Sequence, residues 1–419
     1  MARFGKDWFA SHIKPAFERV VSGGSIYLIF VTLFGLLLLI GIGAGIHALF
    51  IAGTRHTYGT YREIPVAILI STYIFFVVAS TGLCIVSSIG HVFGVQSFMP
   101  IAKRSVFLSI ITIVAGFLVI GLEIENPFRM AIYNVISPNF SSNIWWMGTL
   151  YGFYLIFMSV EFVFLLLHNH KTATVFGLLG VISGISAHSN LGGIFAMLNG
   201  RPYWYGAYLP IYFIASAMMT GCAFIIFFTL IAYRIKKQTL DAPMENALQT
   251  IGKLNMLMLV IVMFFTTWKM LTTSVGGSSS AVAINELISG HLSFSFWGIE
   301  VMGGMIIPFF LLLWSRGKKM GLMFTASALM IFSIFFMRLD MVVLGQIVPL
   351  YWDLGVVEYS KLHTYSPSVH EILVVLGGIS FCILAFLLGE KVFAGFADNQ
   401  GTEQINEKEP EVVGAEKTV

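Results

Sequence analysis

The chain is a succession of long apolar runs broken by short polar turns. About 20 apolar residues in a helix cross the hydrocarbon of a bilayer. Ten segments are long enough: 24–52, 65–94, 105–123, 144–168, 172–198, 206–234, 250–274, 286–314, 320–344 and 370–392. The turn Asn199-Gly200-Arg201-Pro202 separates the fifth from the sixth. None alternates with the two-residue rhythm of a barrel strand. The pattern predicts an all-α integral membrane protein of about ten transmembrane helices.

Composition agrees: of 419 residues, 57% are hydrophobic and only 11% charged, which excludes an ordinary soluble domain. The net charge of +3 is small and confined to loops, so it points to no nucleic-acid partner. Cys84, Cys222 and Cys382 lie singly inside apolar runs. They supply neither an iron–sulfur ligand set nor a disulfide framework, and no metal site is expected. The first run is too long for a signal-peptide core and reads as an uncleaved helix. Basic residues concentrate at the N-terminus (Lys6, Lys14, Arg19) and in alternate loops (Lys103 and Arg104; Lys171; Arg234, Lys236 and Lys237; Arg316, Lys318 and Lys319). By the positive-inside rule both termini are cytoplasmic, and Glu123 and Glu125 face outward. Trp8 to Val20 is weakly amphipathic and suits the inner surface. The tail 393–419 is polar, acidic and expected to be disordered.

Ionisable residues inside these spans are costly and point to a partner or a task. Glu123 and Glu125 end the third span, two apart and so on different helix faces. A structural reading pairs them with Arg129. Glu161 lies among apolar neighbours in the inner half of the fourth span, where only a hydrogen bond to a serine or tyrosine would make it structural. His188, in the fifth, falls near the level of Glu123. His91 ends the second span on the opposite side. Histidine changes protonation near neutral pH, but either residue could instead be a satisfied hydrogen-bonding side chain. Two inward histidines at one depth are missing, so no haem is expected. Lys269, Glu286, His291, Glu300, Arg338 and Asp340 form a second polar set. Arg338 and Asp340 are expected to pair.

Three stretches carry a resemblance: Glu123-Ile124-Glu125-Asn126-Pro127, Pro138-Asn139-Phe140-Ser141-Ser142 and Trp145. They resemble the end of the third helix and the following loop in the NrfD/PsrC superfamily of quinone-interacting membrane subunits. That family typically carries an Asp-Leu-Gly-Arg-Pro-like motif there. This chain replaces its Gly-Arg with Glu125-Asn126, which removes an arginine-based role unless Arg129 takes it over. Gly90 to Gly94, Ala187 to Gly192, Arg338 to Gln346 and Tyr365-Ser366-Pro367 look like the ten-helix branch that includes HybB, DsrP, HmcC and QrcD. Within it the chain is read as QrcD-like, part of a menaquinone reductase.

The resemblance implies two four-helix bundles, helices 2–5 and 6–9, with helices 1 and 10 peripheral. The corresponding divisions are a cytoplasmic segment 1–23, a quinone-binding half 24–198, a second bundle 199–344, a periplasmic loop with helix 10 at 345–392, and the tail. It also implies a bacterial inner-membrane location and menaquinone as substrate, with no haem or iron–sulfur cluster in the chain itself. The implied partners are a periplasmic ferredoxin-like iron–sulfur subunit, with molybdopterin-type and multihaem cytochrome c subunits beyond it. On this reading Glu123, Trp145, His188 and Asn190 bind quinone, and Glu123 and His188 do its proton chemistry. Glu161, Tyr154 and His91 form a proton path. Two other classes stay open: a secondary transporter or proton channel, which Lys269 and Glu300 keep alive, and a non-catalytic membrane anchor.

Overall fold

The computed structural model describes residues 18–355, 361–393 and 396. Most of Trp8 to Val20 and nearly all of the tail lie outside these residues. Among the described residues there is no strand, and ten helices are long and apolar enough to cross a membrane. They are α1 (Ser25–Ala52), α2 (Ile68–His91), α3 (Gln96–Gly121), α4 (Asn143–Leu166) and α5 (His170–Ala196). There follow α6 (Tyr208–Lys236), α7 (Ala242–Ser274), α8 (Ser295–Ser315), α9 (Met320–Ile347) and α10 (Val369–Val392).

All ten expected spans are present, most with edges moved by a few residues. The eighth differs most. Residues 286–294 do not belong to it, because a separate short helix, Ser278–Ile288, ends there. Gly290 N–H bonds back to the carbonyls of Asn285 and Glu286, and the Glu286 carboxylate accepts from His291 N–H at 3.0 Å. The span then begins as twelve residues of π-helix, Ser295–Ile306.

Helices α2 to α5 pack as one ring of four, and α6 to α9 as another. The rings meet where α2 crosses α6. That crossing is backbone against backbone. A Cβ on Gly82 would lie 1.8 Å from the Ala217 carbonyl oxygen, and one on Gly221 would lie 2.2 Å from the Gly82 carbonyl carbon. Small residues permit such approaches between membrane helices, where dispersion contacts replace the hydrophobic drive. Consequently α2 is the central helix, buried along nearly all of its length, whereas α1 is largely exposed. α1 touches the body mainly through α10, at Gly41 and Gly377, and presents Ile26, Ile29, Leu36 and Leu39 outward, as a lipid-facing helix would.

Each end of the assembly is tied. At one, Glu390 of α10 accepts from Arg104 Nε of α3 (2.7 Å) and Lys236 Nζ of α6 (2.7 Å). At the other, the Arg201 guanidinium donates to the carbonyls of Glu63, Gln346 and Val348. Trp204 Nε1 donates to the Met341 carbonyl at 2.8 Å. These are called below the Arg104 end and the Glu123 end.

Candidate functional site

The first bundle carries a buried polar series along its length. Near the Arg104 end His91 Nε2 meets Glu161 Oε1, with side chains only 5% and 1% exposed. His91 closes α2, so its Nδ1 reaches back one turn to the Ser87 carbonyl at 2.9 Å. A carbonyl only accepts, so Nδ1 carries a proton there. Gly177 of α5 makes room for the pair, since a Cβ there would lie 2.9 Å from both partner atoms. Glu161 Oε2 is buried and has no hydrogen-bond partner among the described residues.

Two turns along α4 from Glu161, Tyr154 is fully buried. Its hydroxyl donates to the Ser80 carbonyl (2.9 Å) and lies 2.6 Å from Ser109 Oγ and 2.9 Å from Ser80 Oγ. One turn further, Tyr151 packs edge-on to Tyr154 and Tyr73 and donates to His188 Nδ1 at 3.1 Å. His188 Nε2 donates to the Phe213 carbonyl of α6 at 3.1 Å. The two partners fix the tautomer: Nε2 holds the proton and Nδ1 accepts. His188 is fully buried.

Glu123 sits just past the last turn of α3 with Oε2 buried and no hydrogen-bond partner among the described residues. It lies in electrostatic contact with Tyr58, Glu371 and Tyr365, brought in from the α1–α2 loop and the start of α10. Burial, and then the charge of Glu371, push its carboxyl up to about 8. Tyr58, raised by burial and by Glu123, donates to the Leu122 carbonyl at 2.6 Å. Glu371 is held by three donors: Gly59 N–H (2.9 Å), Ser368 N–H (2.8 Å) and the Tyr365 hydroxyl (3.0 Å). The Ser368 and Glu371 bonds form a reciprocal capping box. These three donors fix the Glu371 side chain in place facing Glu123.

The other expected quinone residues have different neighbours. Trp145 Nε1 donates to the Asn134 carbonyl at 2.8 Å, and the ring packs edge-on to Phe140 and Trp146. It thereby fastens the short helix Pro127–Ile136 to the start of α4. Asn190 donates to the Asn143 carbonyl at 2.7 Å and ties α5 to the same place. Glu125 is exposed and pairs with Arg55 at 3.6 Å, while Arg129 lies over the Tyr133 ring. The expected Glu125–Arg129 pair does not form. Nor do Arg338 and Asp340 pair: two apart on one helix, they point to different faces. Arg338 Nη2 donates to Ser216 Oγ, and Asp340 Oδ2 accepts from Ser295 Oγ at 2.5 Å.

Sequence reasoning passed over Tyr151, Tyr58 and Glu371. Tyr151 carried a signal, one turn from Tyr154 on the same face. Glu371 carried another, the spacing of a capping box after Ser368. Tyr58 carried none.

A model of the family described as Polysulphide reductase, NrfD matches residues 56–349. The chain belongs to the NrfD family. The matched residues run from the α1–α2 loop to the end of α9 and take in both bundles. Relatives of this NrfD chain include a selenate reductase subunit of Mesobacillus selenatarsenatis, 22% identical over 80% of this chain and 87% of that protein. Another is the Hdr-like menaquinol oxidoreductase integral membrane subunit of Archaeoglobus fulgidus, 25% identical over 83% of this chain and 89% of that one. This is therefore a multi-pass NrfD membrane protein, related to subunits of reductase and oxidoreductase complexes.

Proposed function

We propose that the chain is the quinone-reactive subunit of a respiratory oxidoreductase of the menaquinone reductase type. It exchanges electrons between a periplasmic iron–sulfur partner and menaquinone, and takes up protons through its first bundle. The observation that carries this reading is the Glu123 carboxyl, buried at the membrane boundary with one oxygen unpartnered and its pKa raised to about 8. A general acid works best with a pKa near the working pH. Such a group holds a proton at neutral pH and can give it to an oxygen that becomes basic on reduction.

Reduction of a quinone by two electrons consumes two protons. The series His91–Glu161, Tyr154, Tyr151–His188 is the route assigned to them, entering at the Arg104 end, which the basic loops make cytoplasmic. His188 takes the end of this series in the scheme: Nδ1, which accepts from Tyr151, is the nitrogen open to a proton, while Nε2 is held by the Phe213 carbonyl. Trp145 and Asn190 hold the short helix and α5 against the start of α4, shaping the mouth of the site. Electrons arriving from outside and protons from inside make the reaction electrogenic. The name of the Archaeoglobus relative, a menaquinol oxidoreductase membrane protein, supports the choice of substrate.

The test uses the whole complex in proteoliposomes. Glu123→Gln removes a general acid and is expected to slow menaquinone reduction about 10²-fold. Glu161→Gln is expected to lower both turnover and membrane potential. Wild-type turnover in Glu123→Gln removes Glu123 from the site, and full potential in Glu161→Gln removes the path. Ion flux catalysed by the isolated chain would favour a transporter instead.

A further inference from the structure

The second bundle encloses polar chemistry that quinone reduction does not use. Tyr203, Tyr208, Tyr212, Lys269, Glu300 and Asp340 line a cavity of about 30 Å³ at the Glu123 end. That is room for at least one water molecule, and the walls are polar enough to hold it. Among the described residues neither the Glu300 carboxyl nor the Lys269 ammonium has a hydrogen bond or ion pair. Lys269 Nζ lies instead over the rings of Tyr203 (5.1 Å) and Tyr208 (5.4 Å). Buried charged groups without partners are costly, and water is the partner that fits here.

Two features single the site out. Glu300 is carried on the twelve-residue π-helix Ser295–Ile306. Departures to π geometry inside helices cluster at functional sites. Gly304 lets α9 come close enough for Ser333 Oγ to bond the Ile299 carbonyl at 2.8 Å, which holds this irregular stretch in place. Next to it, Arg338 is fully buried, its Nε and Nη1 without a hydrogen-bond partner among the described residues, within electrostatic reach of Glu300, Tyr208 and Tyr212.

Arg338 also connects the cavity to the first bundle. Its Nη2 donates to Ser216 Oγ, and Ser216 Oγ donates to the Phe213 carbonyl at 3.0 Å. The same carbonyl accepts from His188 Nε2 at 3.1 Å. The Phe213 ring neighbours both, 5.5 Å from the His188 ring and 4.6 Å from the Arg338 guanidinium carbon. A carbonyl oxygen does not pass protons on, so this series transmits position and charge and is no proton wire.

We propose that the second bundle holds a hydrated proton-exchange site, built by Glu300, Lys269 and Asp340, whose loading is coupled to His188 through Ser216 and Arg338. A proton arriving on His188 sets two cations close together, both beside the Phe213 ring. Their repulsion drives Arg338 toward Glu300, and a proton held at the site leaves to the outside. No bond other than O–H or N–H changes, and the drive comes from the redox step. The coupling therefore rests on the quinone reading, while the hydrated site does not.

Two measurements test it. In the purified complex, the infrared carboxyl signal lost in Glu300→Gln is expected to shift when the protein is moved into D2O, as exchange with internal water requires. An unshifted signal overturns the site whether or not the complex reduces menaquinone. In proteoliposomes, Glu300→Gln and Ser216→Ala are expected to keep uncoupled menaquinone reduction near the wild-type rate while moving fewer protons per electron. An unchanged ratio in both variants overturns the coupling. A wild-type complex that reduces no menaquinone overturns the coupling and the proposed function together, while the exchange measurement still decides the site.

Discussion

The crossing of α2 and α6 makes a sharp prediction about Gly82→Ala. The added Cβ would lie 1.8 Å from the Ala217 carbonyl oxygen and 2.9 Å from Gly221 N, against a practical limit of 3.0 Å for real Cβ contacts. Both obstructing atoms are α6 backbone, so no side chain can swing aside, and the two helices must part by more than an ångström. Overpacking of this kind costs about 1–3 kcal/mol. Alanine recovers roughly 0.5–1 kcal/mol of helix propensity over glycine, which leaves a net loss between about 0 and about 2.5 kcal/mol by these two principles. Gly35→Ala is the control. Nothing lies within 4 Å of a Cβ there, so the variant should equal or exceed the wild type in stability. The assay is thermal unfolding of the detergent-solubilised protein, followed by tryptophan fluorescence, with all three proteins side by side. Moving α6 also displaces the Phe213 carbonyl that holds His188 Nε2, so Gly82→Ala should impair the proposed menaquinone turnover even in the molecules that remain folded. If Gly82→Ala unfolds at the same temperature as Gly35→Ala, the tight crossing is not where the structure puts it.

Two further outcomes follow from single groups. Glu123 has its carboxyl pKa raised from 4.5 to about 8, so between these values the folded state binds a proton that the unfolded state has lost. Stability contributed by this group therefore falls as pH rises from 4.5 to about 8 and levels off above that. Glu123→Gln, measured by denaturation across this range, should flatten the decline; an unchanged slope would contradict the buried carboxyl. At the other end, Arg104→Ala leaves Glu390 with Lys236 alone in a buried setting. Breaking a buried ion pair costs about 3–5 kcal/mol, so the variant should unfold well below wild type, and Arg104→Ala with Glu390→Gln should recover part of the loss.

The spans were legible in the sequence because crossing a bilayer is a property of each segment by itself. Length and hydropathy along one helix decide it, and no other part of the chain has to be known. Position along a helix was legible for the same reason: counting along α4 and α5 places Glu161 and His188 toward opposite ends of the first bundle. The direction in which each side chain points was not legible. A soluble helix announces its inner face by an apolar stripe, but a membrane helix is apolar all round, so α1 and α2 read alike although one faces outward and the other is central. What turns a membrane helix is close backbone packing, and that is settled jointly by residues far apart, such as Gly82 with Gly221 or Gly41 with Gly377. Tertiary structure therefore decided that Glu161 meets His91, that Arg338 reaches Ser216 and not Asp340, and that His188 spends both ring nitrogens on Tyr151 and Phe213. It decided as well that Glu123 faces Glu371, which caps its own helix from the far end of the chain. The sequence by itself determined which segments are long and apolar enough to cross a membrane and which groups they carry; only the packing of the helices determined which of those groups meet.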